Sequence, residues 1–177
     1  MKKESFFNWQ PKPVVRIYIP KPDSRQKPLG IPTIKDRIWQ NVVKNALEPE
    51  WKEKFEDSSY GFRPTRSFTD AINRIFIATS KKTRMWVVDA DIKASFDEIA
   101  HQPFLDKVKH FPGRELMHKS LKAGVLTEGV WSESLSTLQG EVISPLLCNI
   151  ALHGMEKELN VKRSFQGFVL QGLELLE

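Results

Sequence analysis

One cysteine, Cys148, stands in the whole chain, which excludes a disulfide framework and any zinc site built from several thiolates. The four histidines, His101, His110, His118 and His153, form no close pair with the cysteine or a carboxylate at metal-ligand spacing. No apolar run approaches the roughly 20 residues that cross a bilayer. The basic start, Met-Lys-Lys-Glu, lacks the apolar stretch of a signal peptide. These absences point to a cytoplasmic protein with no membrane partner. Internal repeats and low-complexity tracts are missing too, and no aspartate follows Asp106.

What is present suits one sizeable domain or two small subdomains: 177 residues, 40% hydrophobic and 28% charged. The net charge of +5 hides a split. Residues 1–84 hold 18 Lys/Arg against 9 Asp/Glu, and residues 85–177 hold 9 against 13. A basic half joined to an acidic half fits a polyanionic partner for the first; a solvated lysine-rich surface gives the same count.

Residues 1–13 read as a flexible lead-in. Val14–Pro20 alternates, with Val15, Ile17 and Ile19 pointing one way and Arg16 and Tyr18 the other, the period of a strand. Lys21 to Lys27 is a turn around Pro22-Asp23-Ser24, and Leu29 to Pro32 returns as a second strand, giving a hairpin with a basic tip. Ile34, Ile38, Val42 and Ala46, four apart, predict a helix, with Pro49 ending it and starting another. Ser67 with Asp70 resembles a capping box opening a helix to about Ala78. After the basic linker Lys81 to Arg84, Met85 to Asp91 reads as a buried strand ending in carboxylates. Helices are expected at about 101–109 and 114–123, and another from an N-cap at Ser144 to about Leu159. The mixture is α+β.

Four stretches carry chemistry. In Asp89-Ala-Asp91-Ile92-Lys93-Ala-Ser-Phe96-Asp97, strand period places Asp89 and Asp91 on one face. Acids at the end of an apolar strand need pairing or a cation, and hard oxygen donors suit Mg²⁺; capping of the next element or pairing with Lys93 serves equally. The hairpin tip with Lys21 and Lys27 can close on a polyphosphate or stand as a solvated turn. Tyr60-Gly-Phe-Arg63-Pro64 with Arg66 can position a phosphate backbone without reading sequence, or either arginine can form an ion pair at a helix end. Gln139-Gly140-Glu141 leads into Ser144-Pro145, where glycine allows close backbone approach and Ser-Pro suits a helix start.

In order, these four blocks closely resemble those of group II intron-encoded reverse transcriptases, over about residues 14–159. The resemblance implies a fingers subdomain (14–84) and a partial right-hand palm (85–160), helices on a small incomplete antiparallel sheet, followed by a divergent tail (161–177). It implies RNA-directed DNA polymerase chemistry by a two-metal mechanism with Mg²⁺, an RNA template or intron RNA, a DNA primer and a dNTP as partners. Asp91 is then the catalytic metal ligand, because the aromatic that blocks the ribose 2′-hydroxyl follows it by five residues, at Phe96; Asp89 has Ala94 there. Ile92 contributes a backbone carbonyl to the metals. Lys21, Lys27, Phe96, Gln139 and Gly140 hold the dNTP, and Arg16, Arg37, Arg63 and Arg66 hold template or RNA. Lys27 stands where the family often has Arg, Leu138 where it has Pro, and Glu141 where a small residue is common, departures that weaken the expected fit.

The family also carries Tyr-Ala-Asp-Asp on a strand–turn after the Ser144 helix, and its two aspartates are Asp91's partners in holding metal. No such run occurs here. The expectation is a reverse transcriptase fragment cut before that motif and inactive alone. The alternatives are a non-catalytic intron RNA-binding, maturase-like module or a degenerate remnant.

Overall fold

The computed structural model describes residues 8–22, 24–80, 89–92, 99–133 and 140–159, together with strands at 161–164 and 167–170. Strand β1 (Val14–Pro20) pairs antiparallel with β2 (Gln26–Ile31), with Ile19 opposite Lys27 and Pro20 opposite Gln26. The turn closes through Lys21 N–H to the Arg25 carbonyl (2.8 Å) and Ser24 N–H to the Lys21 carbonyl (3.1 Å). The second strand therefore begins earlier than its apolar residues suggest, and Lys27 lies within it. Val15, Ile17 and Ile19 are exposed, as is Tyr18 on the other face, while Val14 is buried.

Helix α1 (Ile34–Lys54) is capped by Thr33, whose hydroxyl accepts from Asp36 N–H at 3.2 Å. It runs unbroken through Pro49. Proline costs a helix one hydrogen bond, to the carbonyl four residues back, and here that residue, Asn45, is exposed to water. Leu47 and Trp51, buried on either side of Pro49, hold the helix through the defect. The spaced set Ile34, Ile38 and Val42 faces solvent. The buried stripe is Asp36, Gln40, Val43, Leu47 and Trp51, at helical spacing but partly polar, so the apolar ladder marks the wrong side.

Helix α2 (Phe68–Ser80) opens with the expected box: Ser67 Oγ accepts from Asp70 N–H (3.2 Å), and Asp70 accepts from Ser67 N–H (2.8 Å). The strand expected at Met85–Asp91 falls largely outside the described residues. Its described end, 89–91, is irregular and exposed.

Helices α3 (His101–Lys107) and α4 (Arg114–Lys122) precede a hairpin missed by the sequence reading, β3 (Val125–Thr127) and β4 (Val130–Ser132). Three-residue strands are too short to show alternation. β3 runs parallel to β1, giving the sheet order β2-β1-β3-β4. Helix α5 (Ser144–Leu152) has Ile143, not Ser144, at its cap position, and it stops well short of Leu159. Gly154 turns left-handed (φ 96°) and starts a single further turn, α6 (Met155–Glu158). Strands β5 (Val161–Ser164) and β6 (Gly167–Leu170) form a separate antiparallel pair.

One core joins residues on both sides of the expected 84/85 boundary. Val43, Leu47, Trp51 and Phe55 pack with Phe104 and Leu105 of α3, Met117 and Leu121 of α4, and Leu146, Leu147 and Ile150 of α5. Each such side chain contributes about 1.5–3 kcal/mol of transfer free energy. Trp9, inside the stretch read as a loose lead-in, is buried too, and its indole N–H donates to Asp36 Oδ1 at 2.9 Å.

Candidate nucleotide and nucleic-acid interface

The expected nucleotide-holding blocks meet at two glycines. Gly140 has φ +110°, and a Cβ built on it would stand 2.5 Å from the Gly30 carbonyl oxygen and 2.8 Å from Leu29 Cδ1. Gly30 pairs with Arg16 in the hairpin. Gly140 therefore seats directly on the strand that carries Lys27. Lys21 is exposed at the turn, Lys27 half-buried in β2 and Arg16 half-buried in β1, while Arg37 is exposed on α1. Gln139 and Phe96 lie outside the described residues.

The loop after α1 is held from within. Arg63 donates through Nη1 to the Glu56 carbonyl (2.7 Å) and the Ser59 carbonyl (3.0 Å), and through Nη2 to the Lys52 carbonyl (3.0 Å). Its guanidinium also lies over the Phe55 ring at 5.3 Å. The planar fork thus ties the Lys52 carbonyl in the last turn of α1 to two carbonyls of the loop that follows. Arg66 is less committed: it bonds the Asp57 carbonyl, approaches the Asp57 carboxylate at 3.8 Å and stacks over Tyr60. With Tyr60, Thr65, Asp70 and Arg74 it lines an open polar cleft.

This loop is tied to the Ser-Pro helix. Asn149 Nδ2 donates to the Gly61 carbonyl at 2.9 Å. Glu56 receives Gly154 N–H at 2.6 Å and meets His153 Nδ1 at 2.9 Å. Burial alone would raise the Glu56 pKa, but the bonds from His153 and Gly154 override it and hold the carboxyl below its usual value. These contacts also explain why the helix breaks at His153: Glu56 captures the backbone there.

Asp91 and Asp89 stand exposed in the short stretch 89–92, as does Ile92. A two-metal site needs several carboxylates converging on one place. Among the described residues no group of three or more His, Cys, Asp or Glu is placed to hold a metal ion. Strands β5 and β6 carry no carboxylate at all. The described residues do not by themselves supply the donor set of a two-metal site.

A buried polar cluster escaped the sequence reading. Glu141 is buried, at 8% exposed, and its side chain hydrogen-bonds Gln40, whose Oε1 also accepts from Val142 N–H at 3.2 Å. Burial, with the nearby Asp36 charge adding to it and the Gln40 bond opposing, raises the Glu141 pKa to about 7. Asp36 is held by Trp9 and by the Thr33 hydroxyl at 2.5 Å. The one available signal was the pair of polar residues Asp36 and Gln40 on the same helical stripe as Val43 and Leu47.

A basic antiparallel hairpin, a helical core and a glycine turn docked on the hairpin define a polymerase-like fingers and palm fragment. The family model for reverse transcriptase (RNA-dependent DNA polymerase) matches residues 19–170, and the chain belongs to that family. It is 40% identical over 164 residues to the group II intron-encoded protein LtrA of Lactococcus lactis subsp. cremoris, covering 89% of this chain and 27% of the relative. It is 37% identical over 161 residues to protein YkfC of Escherichia coli (strain K12), covering 86% and 42%. It is 36% identical over 169 residues to an uncharacterized 91 kDa protein in the cob intron of Schizosaccharomyces pombe, covering 92% and 20%. The chain is thus a reverse transcriptase domain fragment of the group II intron type, spanning less than half the length of each of these relatives. No helix among the described residues is long and apolar enough to cross a membrane.

Proposed function

We propose that the chain grips a template–primer and the triphosphate of a dNTP, as the fingers (14–84) and part of the palm (85–160) of an RNA-directed DNA polymerase. Lys21 and Lys27 neutralise the triphosphate, and Gln139-Gly140 closes the pocket beside them. Arg16, Arg37 and Arg66 contact template phosphates, and Arg63 holds the loop from which Arg66 projects. The observation that carries this reading is the contact of Gly140 with Gly30: two blocks 110 residues apart, each expected at the nucleotide, lie against each other. The 177 residues alone do not extend a primer.

A second reading, an RNA-binding module without catalysis, draws support from the lack of a carboxylate cluster among the described residues. The test for both is binding to structured RNA across a salt series. Contacts to phosphate release counterions, so neutralising Arg16, Arg37 and Arg66 together lowers the salt slope by about 2–3. An unchanged slope removes both readings. Primer extension then separates them from a working polymerase, since robust synthesis by the purified chain refutes inactivity.

A further inference from the structure

The corner between β2 and α1 grips the segment after Gly140 at two points. On β2, the Gly30 carbonyl and the Leu29 side chain lie closer to Gly140 than any Cβ would allow. On α1, Gln40 is buried and its amide is used at both ends. Oε1 accepts from Val142 N–H at 3.2 Å, which leaves Nε2 to donate to the Glu141 carboxylate. The corner is itself braced: Thr33 caps α1 and, with Trp9, holds Asp36 one turn before Gln40. Residues 140–142 belong to no helix or strand. Their placement depends on buried Ile143 at one end and on these two contacts.

We infer that Gln40 is a positioning residue, which holds Gly140 on the strand that carries Lys27 so that both blocks meet one triphosphate. The link to a triphosphate rests on the function proposed above; the clamp itself does not. A neutral amide suits the place because it serves an N–H and a carboxylate at once. A carboxylate there would face Glu141 at hydrogen-bond distance, and two acids so close do not both ionise without cost. Asp36 is the other acid whose charge reaches Glu141. The remaining walls around the pair, from the N-terminal stretch, α4 and α5, include Trp9, Met117, Ser120 and Leu147, all uncharged.

Gln40→Glu and the exchanged pair Gln40→Glu/Glu141→Gln, both close to isosteric, test the clamp in the whole 177-residue chain. Relative to wild type at the same pH, Gln40→Glu is expected to lose about tenfold or more in dNTP affinity at pH 8. At pH 6, where the two acids share a proton, it is expected to return to within about threefold. The exchanged pair restores one acid and one amide, and is expected to stay within about threefold of wild type at both pH values. The amide NMR signals of Leu29 and Gly30 need no nucleotide. They are expected to move in Gln40→Glu at pH 8 and to return in the exchanged pair. Gln40→Met, similar in shape and uncharged, is expected to displace the same signals, which keeps the test usable if the acid variant misfolds. A merely structural Gln40 would lower the urea midpoint and leave those signals in place in the folded variants; that result overturns the inference. So does an exchanged pair with the wild-type circular dichroism spectrum whose signals stay displaced. A wild type that binds triphosphate no better than nucleoside removes the functional reading, whereas the NMR result bears on the clamp alone.

Discussion

Gly140 lies against the carbonyl of Gly30, too close for any side chain and with a φ of +110° that L-residues rarely adopt. Gly140→Ala therefore meets both strain and a clash. It is expected to destabilise the fold by about 2–4 kcal/mol, the sum of left-handed strain and local overpacking. Urea denaturation gives the stability, and dNTP affinity measured below the transition gives the functional loss.

Glu141 makes stability depend on pH with a definite sign. Its folded pKa, about 7, is above the ordinary 4.5, so the folded state favours the protonated carboxyl. Stability is fully present below about pH 4.5 and is lost as pH rises to about 7, by about 3 kcal/mol at most. Urea midpoints at pH 5, 6, 7 and 8 are expected to fall across that window. In Glu141→Gln the fall is expected to vanish, with the midpoint at pH 8 above that of the wild type.

Arg63 divides stability from binding. Removing it takes a donor from three carbonyls around the end of α1, of which the Glu56 carbonyl still accepts from Ser59 N–H. Arg63→Ala is expected to cost about 2–4 kcal/mol, and Arg63→Lys to recover only part because an ammonium cannot reproduce the fork. Arg66→Ala is expected to leave the urea midpoint within about 1 kcal/mol, since its ion pair with Asp57 is partly exposed, while weakening RNA binding. Reversed effects would exchange the roles given to the two arginines.

The Trp9–Asp36 bond tests whether the N-terminal stretch is part of the fold. Trp9→Phe keeps most of the apolar burial and removes the donor to Asp36 Oδ1. A loss of about 1–3 kcal/mol is expected, because a buried carboxylate loses a partner. An unchanged melt would mean that Trp9 adds nothing.

Much of this was legible in the sequence. The β1–β2 hairpin, the Ser67/Asp70 box and helices α3 and α4 follow from local signals that tertiary packing does not override. The four ordered blocks carried the family. Where sequence failed, a distant residue decided. Pro49 reads as a break until Leu47 and Trp51 are seen to be buried around it. The Ser144 helix reads as continuous until Glu56, far away in the chain, takes the backbone at Gly154. Arg63 looks like a phosphate contact until its three carbonyl partners are in view. Glu141 looked like a misfit at a ligand site and is instead a buried partner of Gln40.

Titration of a fluorescent dNTP against wild type and Lys21→Ala/Lys27→Ala, with the matching nucleoside as control, tests the central claim most directly. The account predicts that the wild type prefers triphosphate to nucleoside, and that the double variant loses about tenfold or more in triphosphate affinity, ~1.4 kcal/mol, with its urea midpoint unchanged. Equal affinities of both proteins for the triphosphate would contradict it.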